Sequence, residues 1–232
     1  MAVGAVAAVL AAGLDSPAGG SITDERLYLG VLADLRAHGA WFTPTLDGVP
    51  DFTKPPLLYW AGLLSLAAFG PSLWAARLPV ALSALLLALT AGRLARRWGG
   101  QAAAVRGLLL CGTCLGVLRY GRLFMMDIPL ALTVALGIEA ALAAVEEERP
   151  WLLLGSGLAA GAAALLKGPV GPCLIGGVAL VLLLARARWM LRTPTVPAAV
   201  AVAGLVAVPW FVAMTAVHGR PFWERFLLVE HL

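Results

Sequence analysis

The sequence predicts an all-α fold, a polytopic transmembrane helical bundle with an outer loop of amphipathic juxtamembrane helices. Three observations predict it. Of the 232 residues, 61% are hydrophobic and only 13% are charged, which is far from the balance of a water-soluble domain. Several apolar runs approach the roughly 20 residues that a helix needs to cross a bilayer. These long runs, rather than short alternating strands, fill the chain, and helices satisfy their own backbone groups within lipid.

The first apolar runs differ in length. Residues 1–14 are short for a full span, so we interpret them as the end of a first membrane helix that is either short or begun upstream. Residues 57–69 are also too short for an upright span and end at Gly70-Pro71, which predicts a helix lying in the membrane interface. Full spanning runs then follow at 73–95, 102–118, 128–145, 151–166, 170–185 and 196–215.

Arginines indicate the orientation of these runs. Arg93, Arg96 and Arg97 cluster at the end of the first full span, and such clusters mark the cytoplasmic side of a membrane. Alternation from there places residues 186–192, with their own arginines, on the same side and the loop at 15–56 outside. We therefore expect a multi-pass protein of the cytoplasmic (inner) membrane with an outward-facing site.

Composition also excludes some classes of function. The net charge of +4 is explained by membrane topology, and we find no signal for a nucleic-acid partner. Cys111 and Cys114 have the spacing of a redox motif, but they lie in an apolar run, where such a motif lacks its polar, accessible setting. His38, His218 and His231 show no spacing typical of a zinc site, so no metal ligand is assigned.

The outer connections hold ionisable residues that topology does not explain. Such groups at the membrane rim are costly to leave unpaired and are therefore candidates for function. Helix ends would gather them at one surface, the basic ones being Lys54, Arg119, Arg122, Lys167 and Arg225 and the acidic ones Asp24, Glu25, Asp51 and Asp127.

The loop at 15–56 begins with a predicted surface helix. Ser21-Ile-Thr-Asp24 has the pattern of a capping box. Apolar residues then share one face at helical spacing, and Gly39 is the expected stop; the residues of that face are Leu27, Tyr28, Val31, Leu32 and Leu35. Capping and a favourable interaction with the helix dipole are sufficient to explain Asp24 and Glu25 from the residues alone.

The end of the loop fixes a lysine. In Asp51-Phe-Thr-Lys54-Pro-Pro56, the paired prolines push the residues before them out of helical geometry, and Pro56 can open the next helix. Lys54 is therefore expected on a stiff extended segment at the membrane surface. A fixed ammonium group is suited to binding a phosphate, whereas a snorkelling lysine needs no such stiffness.

An ordered set of short motifs resembles a known family. The strings are Asp24-Glu-Arg-Leu-Tyr28, Gly39-Ala-Trp41-Phe-Thr-Pro44, Leu46-Asp-Gly-Val-Pro50, Phe52-Thr-Lys54-Pro-Pro-Leu-Leu-Tyr-Trp60, Arg77-Leu-Pro79, Arg122 with Met126-Asp127-Ile-Pro129, Leu166-Lys167-Gly-Pro-Val-Gly171 and Pro209-Trp210-Phe211. In this order they resemble the N-terminal portion of the bacterial lipid A aminoarabinose transferase and protein O-mannosyltransferase group. These are C-type membrane glycosyltransferases, similar to glycosyltransferase family 39.

The resemblance implies a function. It implies transfer of a sugar, hexosyl or pentosyl, from a polyprenyl-phosphate carrier to a lipid, glycan or protein acceptor on the outer face of the membrane. It implies one transmembrane domain over 1–232, with an outer catalytic loop and interfacial helices at 15–70. No cofactor is assigned, and a divalent cation is kept only as a candidate. Membrane lipids are the remaining expected partners.

The resemblance also implies roles for single residues. Asp24 is the implied catalytic base, and Asp127 matches a second acidic residue of the same cavity. The implied substrate-binding residues are Glu25, Tyr28, Lys54, Arg122 and Lys167. Two positions depart from related sequences, which often carry Glu where this chain has Thr53 and an arginine beside Tyr28 where this chain has Arg26. An arginine moved by one helical position points about 100° away.

Other interpretations stay open. Asp127 is equally well explained as a helix N-cap, since Pro129 suits a first helical turn. Arg122 would also serve as a helix-end anchor, and Lys167 as an interfacial lysine. At the level of the whole chain, the alternatives are a lipid or solute transporter and a non-catalytic fragment of a transferase. A transporter would more often show broken helices at the membrane midplane and repeated halves.

Overall fold

The computed structural model describes residues 2–16, 23–39 and 41–229. Their α-helices are Ala2–Ala11 (α1), Thr23–His38 (α2), Leu57–Phe69 (α3), Leu73–Thr113 (α4), Leu115–Tyr120 (α5), Asp127–Glu146 (α6), Leu153–Lys167 (α7), Val170–Arg186 (α8), Thr195–His218 (α9) and Arg220–Trp223 (α10). Short 3-10 turns lie at Pro150–Leu152 and Arg188–Arg192, and a π-helical turn follows α10 at Glu224–Val229. The predicted all-α class is confirmed.

Four helices of the described residues are long and apolar enough to cross a membrane, namely Leu73–Thr113, Asp127–Glu146, Pro150–Lys167 and Thr195–His218. Shorter apolar helices are Ala2–Ala11, Leu57–Phe69 and Val170–Arg186. The predicted helix at 57–69 therefore exists with the expected bounds, and its place in the membrane interface stays a prediction. The predicted run at 170–185 forms a helix of 17 residues.

The residue contacts divide the chain into two compact units. Unit 1 comprises Met1–Pro50 and Pro56–Leu132, and unit 2 comprises Asp51–Pro55 and Thr133–Leu232. The short segment Asp51–Pro55 thus belongs to unit 2 although unit 1 flanks it on both sides in sequence. The sequence did not predict this division.

In unit 1, α4 consists of two antiparallel arms. Gly99 and Gly100 leave helical geometry, and Gly100 has a φ of 63°, which L-residues with a side chain rarely adopt. The arms approach closely, because a Cβ on Gly92 would lie 3.0 Å from the Ala104 carbonyl oxygen. The separation of the predicted runs at 73–95 and 102–118 is therefore confirmed.

The second of these runs was predicted too long. Its helix ends at Thr113, and Cys114 takes an extended conformation with φ −65° and ψ 145° before α5 begins. Hydropathy does not register this break, since a single threonine such as Thr113 does not interrupt an apolar run. The short helix α5 then ends at Tyr120, next to the polar segment that precedes α6.

The predicted surface helix α2 packs against the rest of unit 1 through its apolar face. Val31, Leu32 and Leu35 are buried, and Gly39 follows the helix with a φ of 63°. Helix α3 meets this face closely, because a Cβ on Gly62 would lie 3.0 Å from Leu32 Cδ1. The predicted face and stop are confirmed, whereas the capping box centred on Ser21 lies outside the described residues.

In unit 2, α7 packs against α9 through small residues. A Cβ on Gly161 would lie 2.8 Å from the Ala203 carbonyl oxygen, and one on Gly157 would overlap the backbone of Ala199. Small residues four apart allow membrane helices to approach in this way. The Ser156 hydroxyl donates a 2.7 Å hydrogen bond to the carbonyl of Gly137 and so joins α7 to α6.

Candidate active site

Two neighbouring carboxylates begin α2 in opposite environments. Asp24 is exposed, and its carboxylate makes no hydrogen bond or ion pair with the described part of the chain. Glu25 is fully buried, with 0% of its surface exposed. Successive residues of a helix point about 100° apart, so one side chain faces the interior of unit 1 while the other faces outward.

Glu25 forms a bidentate ion pair with Arg77 of α4. Arg77 Nε donates to Glu25 Oε1 at 2.7 Å, and Nη2 donates to Oε2 at 2.9 Å. Arg77 is only 2% exposed. A buried charge is costly to hold without a partner, and this fork-to-fork geometry supplies one with two charge-assisted hydrogen bonds.

The same ion pair ties together distant parts of unit 1. Arg77 Nη1 donates to the carbonyl oxygens of Leu14 and Ser16, both at 2.8 Å. Glu25 Oε1 also accepts a 2.8 Å hydrogen bond from the Phe124 amide. Thus the end of the α1 region, the first turn of α2, the start of α4 and the segment before α6 share one buried network.

Two predicted site residues lie in that last segment and at the start of α6. Arg122 Nη1 donates to the carbonyl of Ala12 at 3.3 Å, whereas its buried Nε has no hydrogen-bond partner among the described residues. Asp127 is half-buried in the first turn of α6, where the helix dipole favours a negative charge. The Met126 carbonyl accepts the first helical hydrogen bond, from Leu130, so Asp127 lies just inside the helix rather than at its N-cap.

Tyr28 lies one helical turn after Asp24 in an aromatic cluster. Its ring meets that of Tyr59 edge to face with a centroid distance of 6.4 Å, and Tyr59 lies 6.4 Å from Phe124. Tyr28 is 8% exposed and Phe124 is fully buried. Tyr28 therefore supports the position of α2, and its substrate role stays a prediction.

A β-hairpin that the sequence analysis missed packs on α2. Thr45–Leu46 (β1) pairs antiparallel with Val49–Pro50 (β2) around Asp47 and Gly48, whose φ angles are 54° and 76°. Two positive φ angles indicate a type I′ turn, for which Asp-Gly is a strong sequence signal. The hairpin was predictable from this dipeptide alone.

Asp34 of α2 anchors this hairpin. Its Oδ2 accepts a 3.1 Å hydrogen bond from the Gly48 amide. Hydrogen bonds from the Thr45 side chain and the Gly48 amide, with a smaller contribution from His38, hold the pKa of Asp34 below its usual range. The carboxylate form of Asp34 therefore fixes the turn at the start of the segment that leads to Lys54.

Lys54 lies in the segment that belongs to unit 2. The Phe52 ring contacts His218 at a centroid distance of 4.9 Å and Phe222 at 5.6 Å. Asp51 accepts hydrogen bonds from the amide and hydroxyl of Thr53, at 3.1 and 2.9 Å. The half-buried Lys54 donates to the Thr53 carbonyl at 3.1 Å. Buried prolines follow it, but Thr53 and Lys54 form a bend rather than the predicted extended segment.

Lys167 ends α7 beside an apolar groove of unit 2. The groove has a volume of about 700 Å³, and Gly168, the residue after Lys167, is part of its wall. Its other walls come from α9, including Phe211, and from Trp223 and Phe226 of the C-terminal turns. A groove of this composition is suited to a hydrocarbon chain.

The sequence analysis assigned no role to two residues that hold parts of the structure in place. Arg77 was part of a matched motif but had no assigned role, although an arginine four residues into an apolar helix is a signal for a buried partner. Phe52 anchors the Lys54 segment and had no role either. Among the described residues, no three His, Cys, Asp or Glu side chains come together as a metal site.

A family model matches most of the chain. The family described as dolichyl-phosphate-mannose-protein mannosyltransferase matches residues 53–212. The undecaprenyl phosphate-alpha-4-amino-4-deoxy-L-arabinose arabinosyl transferase of Edwardsiella ictaluri is 32% identical over 217 residues, which cover 90% of this chain and 39% of that protein.

Two solved structures share the fold. ArnT from Cupriavidus metallidurans in the apo state gives a TM-score of 0.79 at 29% identity, covering 90% of this chain and 40% of that one. ArnT from the same organism bound to undecaprenyl phosphate gives 0.82 at 29% identity, covering 99% of this chain and 43% of that one. The chain thus spans about two fifths of the length of the relatives that it matches.

Proposed function

Because the chain belongs to the dolichyl-phosphate-mannose-protein mannosyltransferase family, we propose that it is the catalytic membrane part of a polyprenyl-phosphate-dependent glycosyltransferase. One observation carries this proposal. The fold agrees over 99% of the chain with a structure described as bound to undecaprenyl phosphate. The proposed acceptor is a lipid, glycan or protein on the outer face of the cytoplasmic membrane.

We assign the base to Asp24. In the proposed reaction an acceptor oxygen attacks the anomeric carbon of the sugar, the bond from that carbon to the carrier phosphate breaks, and polyprenyl phosphate leaves. Asp24 takes the proton that the acceptor loses, a common task of a carboxylate. Its exposed side chain, on a helix whose neighbouring residue is fully buried, supports this role. Asp127 is kept as the second acidic candidate.

The leaving phosphate needs positive charge. Lys54 and Lys167, both in unit 2, are the proposed cations, because charge-assisted hydrogen bonds stabilise a developing phosphate charge. Arg122 of unit 1 stays a predicted substrate-binding residue. The apolar groove beside Lys167 would take part of the isoprenoid chain. The described residues offer no cluster of metal ligands, so no step is assigned to a divalent cation.

The test uses the longest natural protein that contains this chain, purified and placed in vesicles with a labelled polyprenyl-phosphate sugar. Both mannosyl and 4-amino-4-deoxy-L-arabinosyl carriers are supplied, since the family and its relatives name these sugars. We expect release of polyprenyl phosphate with one of them. Asp24→Asn should reduce the rate about 100-fold or more, the usual contribution of a general base.

Asp47→Asn is the matched control, because Asp47 is exposed in the hairpin turn and asparagine suits that turn equally well. Its rate should equal that of the wild type. Equal rates for wild type and Asp24→Asn would refute the base assignment. Movement of the intact labelled carrier from one leaflet of the vesicle membrane to the other, without cleavage of the bond to the sugar, would instead support the transporter alternative.

A further inference from the structure

The buried pair of Glu25 and Arg77 lies between the two acidic candidates of the proposed reaction. Glu25 is the next residue after Asp24, and its Oε1 accepts from the amide of Phe124, three residues before Asp127. Both ends of this connection lie in unit 1. The pair itself is buried, with Glu25 at 0% and Arg77 at 2% exposure, so neither side chain is open to solvent.

We infer that Glu25 and Arg77 are positioning residues that fix the direction of the Asp24 carboxylate. This inference rests on the proposed function. It extends that function, because Glu25 is moved from the predicted substrate-binding set to a role that acts through its neighbour.

The geometry explains how the positioning works. Rotation of the first turn of α2 about its axis would move Asp24 sideways, and it would also pull Glu25 away from two donors of Arg77 and from the Phe124 amide. These three hydrogen bonds are 2.7 to 2.9 Å long. The guanidinium cannot follow such a rotation, because Nη1 is held by the carbonyls of Leu14 and Ser16. A misplacement of about 1 Å at a reacting group can cost about 100-fold in rate.

The experiment is a double-mutant cycle on the longest natural protein, with Glu25→Gln, Asp24→Asn and the double variant. Glutamine keeps the size of the side chain but removes the charge that holds Arg77. We expect Glu25→Gln to lower kcat about 10- to 100-fold with little change in KM for the carrier. In the Asp24→Asn background, Glu25→Gln should lower kcat by less than twofold, because residues that act as one unit are non-additive.

Two further measurements separate positioning from folding. Direct binding of polyprenyl phosphate without sugar should be unchanged in Glu25→Gln, and Arg77→Lys, which keeps the positive charge but loses the forked geometry, should reproduce the kcat loss. Glu147→Gln is the control, since Glu147 is an exposed carboxylate outside this network. If Glu25→Gln yields no folded protein, Arg77→Lys replaces it in the double-mutant cycle with Asp24→Asn.

The outcomes are distinct. Additive losses in the cycle, or a loss of carrier binding equal to the loss of rate, would overturn the positioning role and leave the glycosyltransferase proposal intact. An active wild type that is insensitive to Asp24→Asn overturns the base assignment, and with it the positioning of that base. A wild type that cleaves no carrier-linked sugar is a failure of the proposed function itself.

Discussion

Asp24 and Glu25 show how one helical step separates two uses of a carboxylate. Hydrogen bonds from Arg77 and from the Phe124 amide stabilise the charge of the buried Glu25. The exposed Asp24 makes no such bond among the described residues. The buried carboxylate therefore joins elements of unit 1, whereas the exposed one is accessible from outside it.

Lys54 permits a prediction at the same scale. Lys54→Gln should raise KM for the polyprenyl-phosphate carrier about 10- to 100-fold, because a hydrogen bond to a charged group contributes about 1.5–3 kcal/mol. Initial rates over a range of carrier concentrations measure this effect. Lys54→Arg keeps the charge and should lose less, so equal losses in the two variants would contradict a role based on charge.

At the level of elements, the hairpin β1–β2 depends on a single carboxylate of α2. Asp34 has a lowered pKa in the folded protein because Thr45 and Gly48 donate hydrogen bonds to it. A group with a lowered folded pKa stabilises the structure above its unfolded pKa, and this stabilisation is lost as pH falls through the folded value. Acid should therefore release the hairpin from α2.

Hydrogen exchange can follow this release. The protection of amides at 45–49, corrected for intrinsic exchange, should be constant near neutral pH and should fall once the pH drops below the ordinary pKa of an aspartate side chain, about 3.9. Asp34→Asn should abolish most of this pH dependence. Asp47→Asn, in the same hairpin but exposed, should leave it unchanged, and an unchanged profile in Asp34→Asn would contradict the assignment.

The groove between α7, α9 and the C-terminal aromatic residues gives a second prediction for elements. Val212 lines it, and Val212→Trp would fill space proposed for the isoprenoid chain. Loss of the burial of about two methylene groups, at roughly 0.8 kcal/mol each, should raise KM for a long carrier about tenfold.

The effect of Val212→Trp can be compared between carriers with long and short isoprenoid chains. A carrier with a short isoprenoid chain should show little change in KM, since it fills less of the groove. Leu205→Trp is the control, because Leu205 is an exposed residue of the same helix that does not line the groove. Equal effects of the two tryptophans would mean that the carrier chain lies elsewhere.

At the scale of the whole molecule, the arginine clusters predict the orientation. Residues 93–97 and 186–192 should face the cytoplasm, and the hairpin should face outward. In a variant without Cys111, Cys114 and Cys173, Asp47→Cys should react with a membrane-impermeant maleimide in intact spheroplasts. Trp98→Cys, at a residue that is 71% exposed, should react only after permeabilisation. The reverse labelling pattern would contradict the proposed outward-facing site.

Much of the fold followed from apolar periodicity, and its failures have local causes. The bounds of α3 and the stop of α2 were predictable because Pro56 precedes the first residue of α3, and Gly70 and Gly39 end α3 and α2 by their backbone geometry. The break at Cys114 was not, because glycines and threonines like the neighbouring Gly112 and Thr113 also occur inside unbroken apolar helices. Of the candidate site, motif order indicated Asp24 and Lys54, whose roles stay predictions. The partner of Glu25 was hidden because Arg77 is 52 residues away in sequence.

The position of Asp51–Pro55 within unit 2 has a consequence for biosynthesis. Phe52 emerges early from the ribosome, yet its ring partners His218 and Phe222 follow about 170 residues later, roughly ten to thirty seconds at usual elongation rates. Until α9 and α10 enter the membrane, the lysine segment has none of these contacts. Lys54 is thus among the first candidate residues to be synthesised, yet its segment takes its native contacts only after α10 has been translated.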